Sequence, residues 1–220
     1  NSLTVNSNAE ITISSGTFSN SGAIAIGDNG RVSIAANAVL DVDGDYDATD
    51  GYTTFSGDGT LKVSNTTLTS FGTLTQSAGT VVFDGVNQTI PVDNYYNIEI
   101  DGSGTKDLNG TTYAKGNVVL TAGELNFDGN RNFYVRGDIT KTSGELVNNS
   151  SSNGYLILVA TSSQNASQAV CGFTAPSISI KVQQSADVEI TGDISANYLW
   201  VQSNNSGTFT IDNNYNLTVD

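Results

Sequence analysis

Short pairs of apolar residues, each with one residue between its members, recur along this chain of 220 residues. This spacing places both members on the same face of an extended strand, and each pair is too short to form a stable strand alone. The pairs return after 21 residues: Leu3/Val5 as Ile24/Ile26, Ile11/Ile13 as Val32/Ile34, and Phe18 as Val39. The pattern predicts an all-β fold, a single-stranded parallel β-helix (β-solenoid) with about 21 residues and three short strands per turn.

The same period continues to the end of the chain. It relates Val42 to Val63, Leu61 to Val82, Val118 to Ile139, Ile157 to Ile178, Ile178 to Leu199, and Val188/Ile190 to Phe209/Ile211. No long stretch has helical periodicity, so we expect nearly no helix. We therefore predict one continuous solenoid segment over residues 1–220, with irregular loops near 44–59, 84–97 and 148–153. Because the apolar pattern runs to both ends, we expect the segment to belong to a longer chain.

The composition argues against some classes of partner. Eight Lys and Arg residues against 22 Asp and Glu residues give a net charge of −14, which repels nucleic acid and anionic membrane surfaces. No apolar run approaches the roughly 20 residues that a membrane-spanning helix needs. The single cysteine, Cys171, can form no disulfide within the chain, and we expect it to be a small core side chain.

The sequence between residues 79 and 140 combines apolar pairs and Gly-rich corners in a recurring order. It reads GTVVFDGVNQTIP over 79–91, YNIEI over 96–100, GSGTKDL over 102–108, GNVVLTAGEL over 116–125 and VRGDIT over 135–140. This resembles the β-helical repeat regions of very large adhesin-like surface proteins that gliding and related bacteria export by the type IX secretion route. The resemblance implies export, attachment to the cell surface through a C-terminal signal outside these residues, and a role as stalk or adhesive rod. It carries over no catalytic residue.

An acidic run is the best candidate for a metal site. Asp41, Asp43, Asp45, Asp47 and Asp50 place alternate carboxylates along an extended segment. Together they could supply the roughly six to eight oxygen ligands that Ca²⁺ prefers, so calcium is the one cofactor that the sequence suggests. The alternative is a solvated corner, because Gly-Asp also occurs at 57–58, 137–138 and 192–193.

Four aromatic residues are candidates for stacking on sugar rings: Tyr95, Tyr96, Tyr198 and Trp200. Trp200 lies between two aliphatic residues, so it faces outward if that pair faces the core. Tryptophan side chains are mostly buried in folded proteins, so an outward-facing one is unusual. Tyr198 and Trp200 are therefore the candidate ligand-binding residues, and the alternative is that a loop or a neighbouring chain covers them.

The sequence gives little support for catalysis. The chain has no His, so acid–base chemistry would depend on carboxylates. Its eight basic residues are scattered, and the closest pair is Arg131 and Arg136. The tripeptide Arg136-Gly137-Asp138 matches an integrin-binding motif, but its Gly-Asp half belongs to the recurring corners. We therefore expect the chain not to be an enzyme.

These observations favour a structural or adhesive segment of a secreted, extracellular cell-surface solenoid protein, which acts as a stalk or an adhesin rod. Its expected partners are other parts of the same large surface protein, and surface glycans or outer-membrane proteins. The alternative is a carbohydrate-binding or polysaccharide-cleaving β-helix, with Tyr198, Trp200 and the carboxylates of residues 41–50 at its site.

Overall fold

The structure, a computed structural model, describes residues 1–66, 68–159, 167–183, 186–202 and 207–219. The described residues form 28 strands and no helix. In chain order the strands are β1 (Leu3–Val5), β2 (Glu10–Ile13), β3 (Gly16–Asn20), β4 (Ile24–Ile26), β5 (Arg31–Ile34), β6 (Ala38–Val42), β7 (Tyr46–Asp47), β8 (Tyr52–Phe55), β9 (Thr60–Val63), β10 (Thr73–Thr75), β11 (Thr80–Phe83), β12 (Gln88–Ile90), β13 (Asn94–Tyr95), β14 (Asn97–Ile100), β15 (Thr105–Leu108), β16 (Thr112–Ala114), β17 (Val118–Leu120), β18 (Glu124–Asn126), β19 (Asn132–Val135), β20 (Ile139–Lys141), β21 (Glu145–Val147), β22 (Gly154–Val159), β23 (Gln168–Val170), β24 (Phe173–Gln183), β25 (Val188–Ile190), β26 (Ile194–Val201), β27 (Phe209–Ile211) and β28 (Leu217–Val219).

The strands form five parallel sheets that run along the axis of winding. Sheet A contains β1, β4 and β7, and sheet B contains β2, β5, β8 and β10. Sheet C contains β3, β6, β9, β11, β14, β17, β20, β23, β25 and β27. Sheet D contains β12, β15, β18 and β21, and sheet E contains β13, β16, β19, β22, β24, β26 and β28. Sheet C extends over the whole length. Sheets A and B complete the turns in the N-terminal part, and sheets D and E replace them from β12 onward. Sheet D ends at β21, and the described strands after it belong to sheets C and E.

The strand pairings confirm the predicted β-solenoid. Each strand pairs in parallel with strands of the neighbouring turns about 21 residues away, and the chain makes about 10 turns. Leu3 pairs with Ile24 and Val118 with Ile139, as the period predicts. This stacking satisfies backbone N–H and C=O groups between turns, so strands of only two or three residues are stable in it.

Some predicted registers are wrong by one to three residues. The structure pairs Phe18 with Leu40 instead of Val39, Leu61 with Val81 instead of Val82, Ile178 with Gly154 instead of Ile157, and Leu199 with Ile180 instead of Ile178. The cause is variation in turn length, since corners gain or lose residues while the strands keep their pairing.

Two segments predicted as irregular loops contain strands. Segment 44–59 carries β7 and β8, and segment 84–97 carries β12 and β13. The expected longer loop at 84–97 is in fact part of a short turn, because Thr80 pairs with Asn97. Segment 148–153 carries no strand and connects β21 to β22.

Inward-facing side chains form one continuous core along the axis. In β5, for example, Val32 and Ile34 are buried and alternate with half-buried Arg31 and Ser33. At the first turn some inward-facing side chains are more exposed, because no described strand covers them. Phe18 is 42% exposed there, although its partner in the next turn, Leu40, is buried.

Four aromatic rings fill the core where sheets A and B give way to sheets D and E. Phe71 lies 5.7 Å from Tyr46, 6.3 Å from Phe83 and 6.1 Å from Tyr95, measured between ring centroids. Burial raises the pKa of both tyrosines above its usual value. Their hydroxyl groups remain hydrogen-bonded, that of Tyr46 to the Thr53 hydroxyl at 2.8 Å and that of Tyr95 to a carbonyl at 2.7 Å.

Candidate functional site

The five carboxylates of the acidic run are spread over β6, the corner that follows it, β7 and the turn before β8. Asp41 is on the outer face of β6, and Asp43 and Asp45 lie in the corner that follows it. Asp47 ends β7, and Asp50 lies in the turn before β8. Within the described residues, no group of three or more His, Cys, Asp or Glu side chains could hold a metal ion. The structure therefore does not bring the predicted calcium ligands together, and calcium binding stays a prediction.

Hydrogen bonds to the next turn engage part of this run. Asp43 accepts a hydrogen bond from the Ser64 hydroxyl at 3.2 Å. Asp45 accepts two from Thr69, from the hydroxyl at 2.9 Å and from the backbone N–H at 3.3 Å. These contacts are those of a corner that joins successive turns, which is the alternative that the sequence left open.

The other Gly-Asp corners have the same construction. The Asp58 carboxylate accepts the backbone N–H of Asn37 at 3.1 Å, and that of Asp138 accepts the backbone N–H of Ala169 at 2.9 Å. In each case the aspartate accepts a hydrogen bond from a backbone donor of a neighbouring turn. Asp138 belongs to the Arg136-Gly137-Asp138 tripeptide, so one oxygen of its carboxylate is already engaged.

The predicted aromatic residues lie in two separate places. Tyr95 is fully buried in the core, and Tyr96 is 37% exposed beside it. Tyr198 and Trp200 lie on the outer face of β26 and are 55% and 50% exposed, so the predicted outward direction of Trp200 is confirmed. In sheet E, β13 and β26 are separated by four intervening strands, so the two pairs form no common surface.

Four further residues complete a surface around Tyr198 and Trp200 that the sequence reading missed. We call this surface the aromatic face, and it consists of Tyr113, Tyr134, Tyr155, Lys181, Tyr198 and Trp200, all on the outer face of sheet E. A signal for three of them is present in the sequence, because Tyr113, Tyr134 and Tyr155 are 21 residues apart. Each also lies between two residues that face the core.

The side chains of the aromatic face pack on one another. The rings of Tyr113 and Tyr134 stack with centroids 4.6 Å apart and planes 13° apart, a distance close to the spacing of neighbouring strands. Ile157 also faces outward, where it pairs with Tyr134 on one side and Lys181 on the other, yet it is only 3% exposed. The face is therefore a packed layer rather than a set of separate side chains.

Lys181 links the middle of this layer to its C-terminal end. Its ammonium nitrogen lies 3.8 Å from the centroid of the Tyr155 ring and 5.6 Å from that of Trp200. Both distances are within the range of cation–π attraction, which is worth about 0.5–1 kcal/mol at an exposed site. Lys181 thus contacts both Tyr155 and Trp200 and places a positive charge between them.

A cleft of about 730 Å³ opens on another part of the surface, beside β20, β21 and the start of β24. Its charged lining residues are Lys141, Glu145 and Asp193. Lys141 and Glu145 form an ion pair at 2.8 Å, and Asp193 accepts the backbone N–H of Asn216 at 2.8 Å. Both carboxylates are therefore engaged, and their geometry gives no support for the acid–base pair of a polysaccharide-cleaving enzyme.

Cys171 lies at the wall of this cleft and belongs to the core. It is 7% exposed, and burial raises the pKa of its thiol to about 11. At neutral pH the thiol is therefore protonated and a poor nucleophile. This agrees with its predicted role as a small core side chain.

The fold defines the chain as a parallel β-solenoid. No model of a known protein family matches it, and comparisons with curated proteins and with solved structures also give no match. The described part of the chain contains no helix long and apolar enough to cross a membrane.

Proposed function

We propose that this chain is a rod-forming segment of a secreted cell-surface solenoid protein, where it acts as a stalk or an adhesive rod. The observation that carries the proposal is the continuity of sheet C, whose ten parallel strands run through every turn. With about 10 turns and a strand spacing of about 4.8 Å, the rod is about 45–50 Å long.

The architecture suits a load along the axis. The backbone hydrogen bonds between turns run parallel to the axis, and each turn contacts only its neighbours. Up to β21 the turns contribute strands to three sheets, and after it to sheets C and E. Each interface between turns therefore has two or three sets of such bonds, and these share an axial load. The resemblance of residues 79–140 to repeats of exported surface proteins points the same way.

The surface also fits an exposed location. Only 14% of the chain is charged, and the net charge is −14, so its polar surface is mainly uncharged Ser, Thr, Asn and Gly. A net charge of one sign keeps an extended rod soluble and opposes side-by-side aggregation.

Antibody labelling of intact cells of the source organism tests the proposal. We expect an antibody raised against the chain to label intact cells, and brief protease treatment of intact cells to remove the signal. A cytoplasmic protein probed in parallel should be labelled only after permeabilisation. If the chain itself is labelled only after permeabilisation, the proposed surface role is wrong.

A further inference from the structure

Sheet E differs in charge from the other four sheets. Its described strands contain no Asp or Glu, whereas Asp47 lies in sheet A, Glu10 in sheet B, Glu99 in sheet C and Glu124 in sheet D. In a chain with a net charge of −14, this sheet is therefore the one whose strands present no negative side chain. An anionic partner meets least repulsion here.

Two exposed basic residues extend the aromatic face along the strand direction. Lys115 directly follows β16 and Arg136 directly follows β19, each two residues after a tyrosine of the face. Alternation along the strand places them on the same side as Tyr113 and Tyr134. The backbone N–H of Arg136 donates to the Ala114 carbonyl at 3.0 Å, so the two cations lie on adjacent turns.

Within the described residues, these two cations form no ion pair. The one ion pair among the described residues joins Lys141 and Glu145, which lie at the cleft and not on sheet E. Lys115 and Arg136 are exposed, so their charges are available to a ligand. Together with Lys181 they place three positive charges beside the five aromatic rings.

The size and stiffness of the face suit an extended ligand rather than a single small molecule. Five consecutive strands of sheet E contribute to it, from β16 to β26, so it extends about 19 Å along the axis. Tyr113 and Tyr134 are stacked on each other, and Tyr155 and Trp200 both contact Lys181. These four rings therefore offer planar apolar surfaces at low conformational cost. Sugar rings have apolar C–H faces that stack on such surfaces.

We propose that the aromatic face, together with Lys115 and Arg136, binds an acidic polysaccharide that carries carboxylate or sulfate groups. This binding rests on the adhesive role proposed above and specifies the class of ligand for that role. The rings stack on successive sugars. The three cations pair with the acidic groups of the polysaccharide. The absence of carboxylates from the described strands of sheet E lets this anionic polymer approach.

Affinity electrophoresis of the 220-residue chain tests this binding with sodium alginate, chondroitin sulfate and neutral dextran in the gel. We expect alginate or chondroitin sulfate to retard the chain and dextran not to do so. We expect Trp200→Ala to weaken binding roughly tenfold, because it removes the largest aromatic surface of the face, and Trp200→Phe to retain most of it. We expect the double variant Lys115→Gln/Arg136→Gln to weaken binding about three- to tenfold.

A second double variant, Lys62→Gln/Lys141→Gln, is the matched control. It makes the same change in net charge but lies on sheet C, so we expect binding to change by less than about twofold. Melting temperatures of all variants establish that they are folded. Because Trp200, Lys115 and Arg136 are exposed, we expect these temperatures to match that of the unchanged chain.

Four outcomes would overturn the proposal. They are no retardation of the chain by either acidic polysaccharide, equal retardation by dextran, equal weakening in the matched control, and tighter binding to single-stranded oligo(dT) than to alginate. Cell-surface labelling is independent of all four. A failure of polysaccharide binding leaves a surface rod without this ligand, whereas a failure of labelling contradicts the surface role.

Discussion

At the scale of single residues, Lys106 is an unusual member of the core. It is fully buried in sheet D, where it pairs with Gln88 on one side and Leu125 on the other. Its ammonium donates to the carbonyl oxygens of Gly102 at 3.2 Å and Ser103 at 2.9 Å. Burial lowers the pKa of Lys106, and the nearby carboxylates of Asp101 and Asp84 oppose that shift.

We expect Lys106→Met to leave the free energy of unfolding within about 1 kcal/mol of the unchanged chain. Methionine fills the same space without the cost of burying a charge, and this gain offsets the two lost hydrogen bonds. By contrast, Lys106→Ala leaves a cavity and should lower the unfolding free energy by about 2–4 kcal/mol. Urea denaturation at neutral pH measures both, and equal losses in the two variants would show that the hydrogen bonds dominate.

The buried tyrosines predict a loss of stability at high pH. Burial raises the pKa of Tyr46 and Tyr95 in the folded chain, and the charge of Asp93 adds to the shift of Tyr95. Their contribution is therefore fully present below the unfolded pKa of about 10 and is lost as pH rises above it. Each tyrosine should reduce the unfolding free energy by about 1.4 kcal/mol per pH unit in that range.

Melting curves between about pH 9 and pH 11.5 measure this loss. We expect the double variant Tyr46→Phe/Tyr95→Phe to lose stability with pH less steeply than the unchanged chain. The control is Tyr113→Phe, which removes an exposed hydroxyl and should leave the slope unchanged. A double variant with the original slope would contradict the assignment to these two residues.

At the scale of strands and corners, the sequence predicted some features and not others. The pairs Leu3/Val5 and Ile24/Ile26 fix a register because a shift of one residue would turn their side chains out of the core. Phe18 has no such partner, since a single apolar residue fits a turn of 21 or 22 residues equally well. The replacement of sheets A and B by D and E was not predicted, because it follows from corner lengths that carry no apolar period.

Only part of the aromatic face could be predicted from the sequence, because the lengths of the corners carry no apolar period. Alternation about Trp200 is a local signal, and it predicted the outward direction of that side chain correctly. The contacts of Lys181 with Tyr155 and Trp200 join strands from three different turns. They depend on turn lengths that the period does not supply, so they became visible only in the structure.

The aspartates of the corners predict a specific pattern of variant stability. We expect Asp138→Ala to lower the free energy of unfolding by about 1–3 kcal/mol, because the backbone N–H of Ala169 loses its acceptor. Asp138→Asn keeps an acceptor oxygen and should cost less. Urea denaturation measures both, with exposed Thr140→Ala as a control that should change little. Equal losses for Ala and Asn would assign the effect to charge instead.

At the scale of the whole molecule, the excess of acidic residues should weaken the fold at low ionic strength. Twenty-two Asp and Glu residues face eight Lys and Arg residues, so repulsion between carboxylates opposes the compact state. We expect the melting temperature to rise as NaCl increases from about 0.01 to about 0.15 M, over which the screening length falls from about 30 to about 8 Å.

Divalent ions at matched ionic strength distinguish screening from a specific site. We expect CaCl₂ and MgCl₂ to raise the melting temperature equally, and EDTA to have no effect on the chain in NaCl. A rise specific to calcium would instead support a site among Asp41, Asp43, Asp45, Asp47 and Asp50, and substitution of Asp45 by Asn should then abolish it.

Sheet C continues without a break past the point where its two flanking sheets are exchanged. Sheet C therefore sets the direction and pitch of winding, while the sheets that flank it can be lengthened, shortened or replaced at a corner. In descendants of this chain, mutation can remodel a lateral recognition surface such as that of sheet E without altering the reach of the scaffold. Selection for a new ligand and selection for a given length can thus proceed separately.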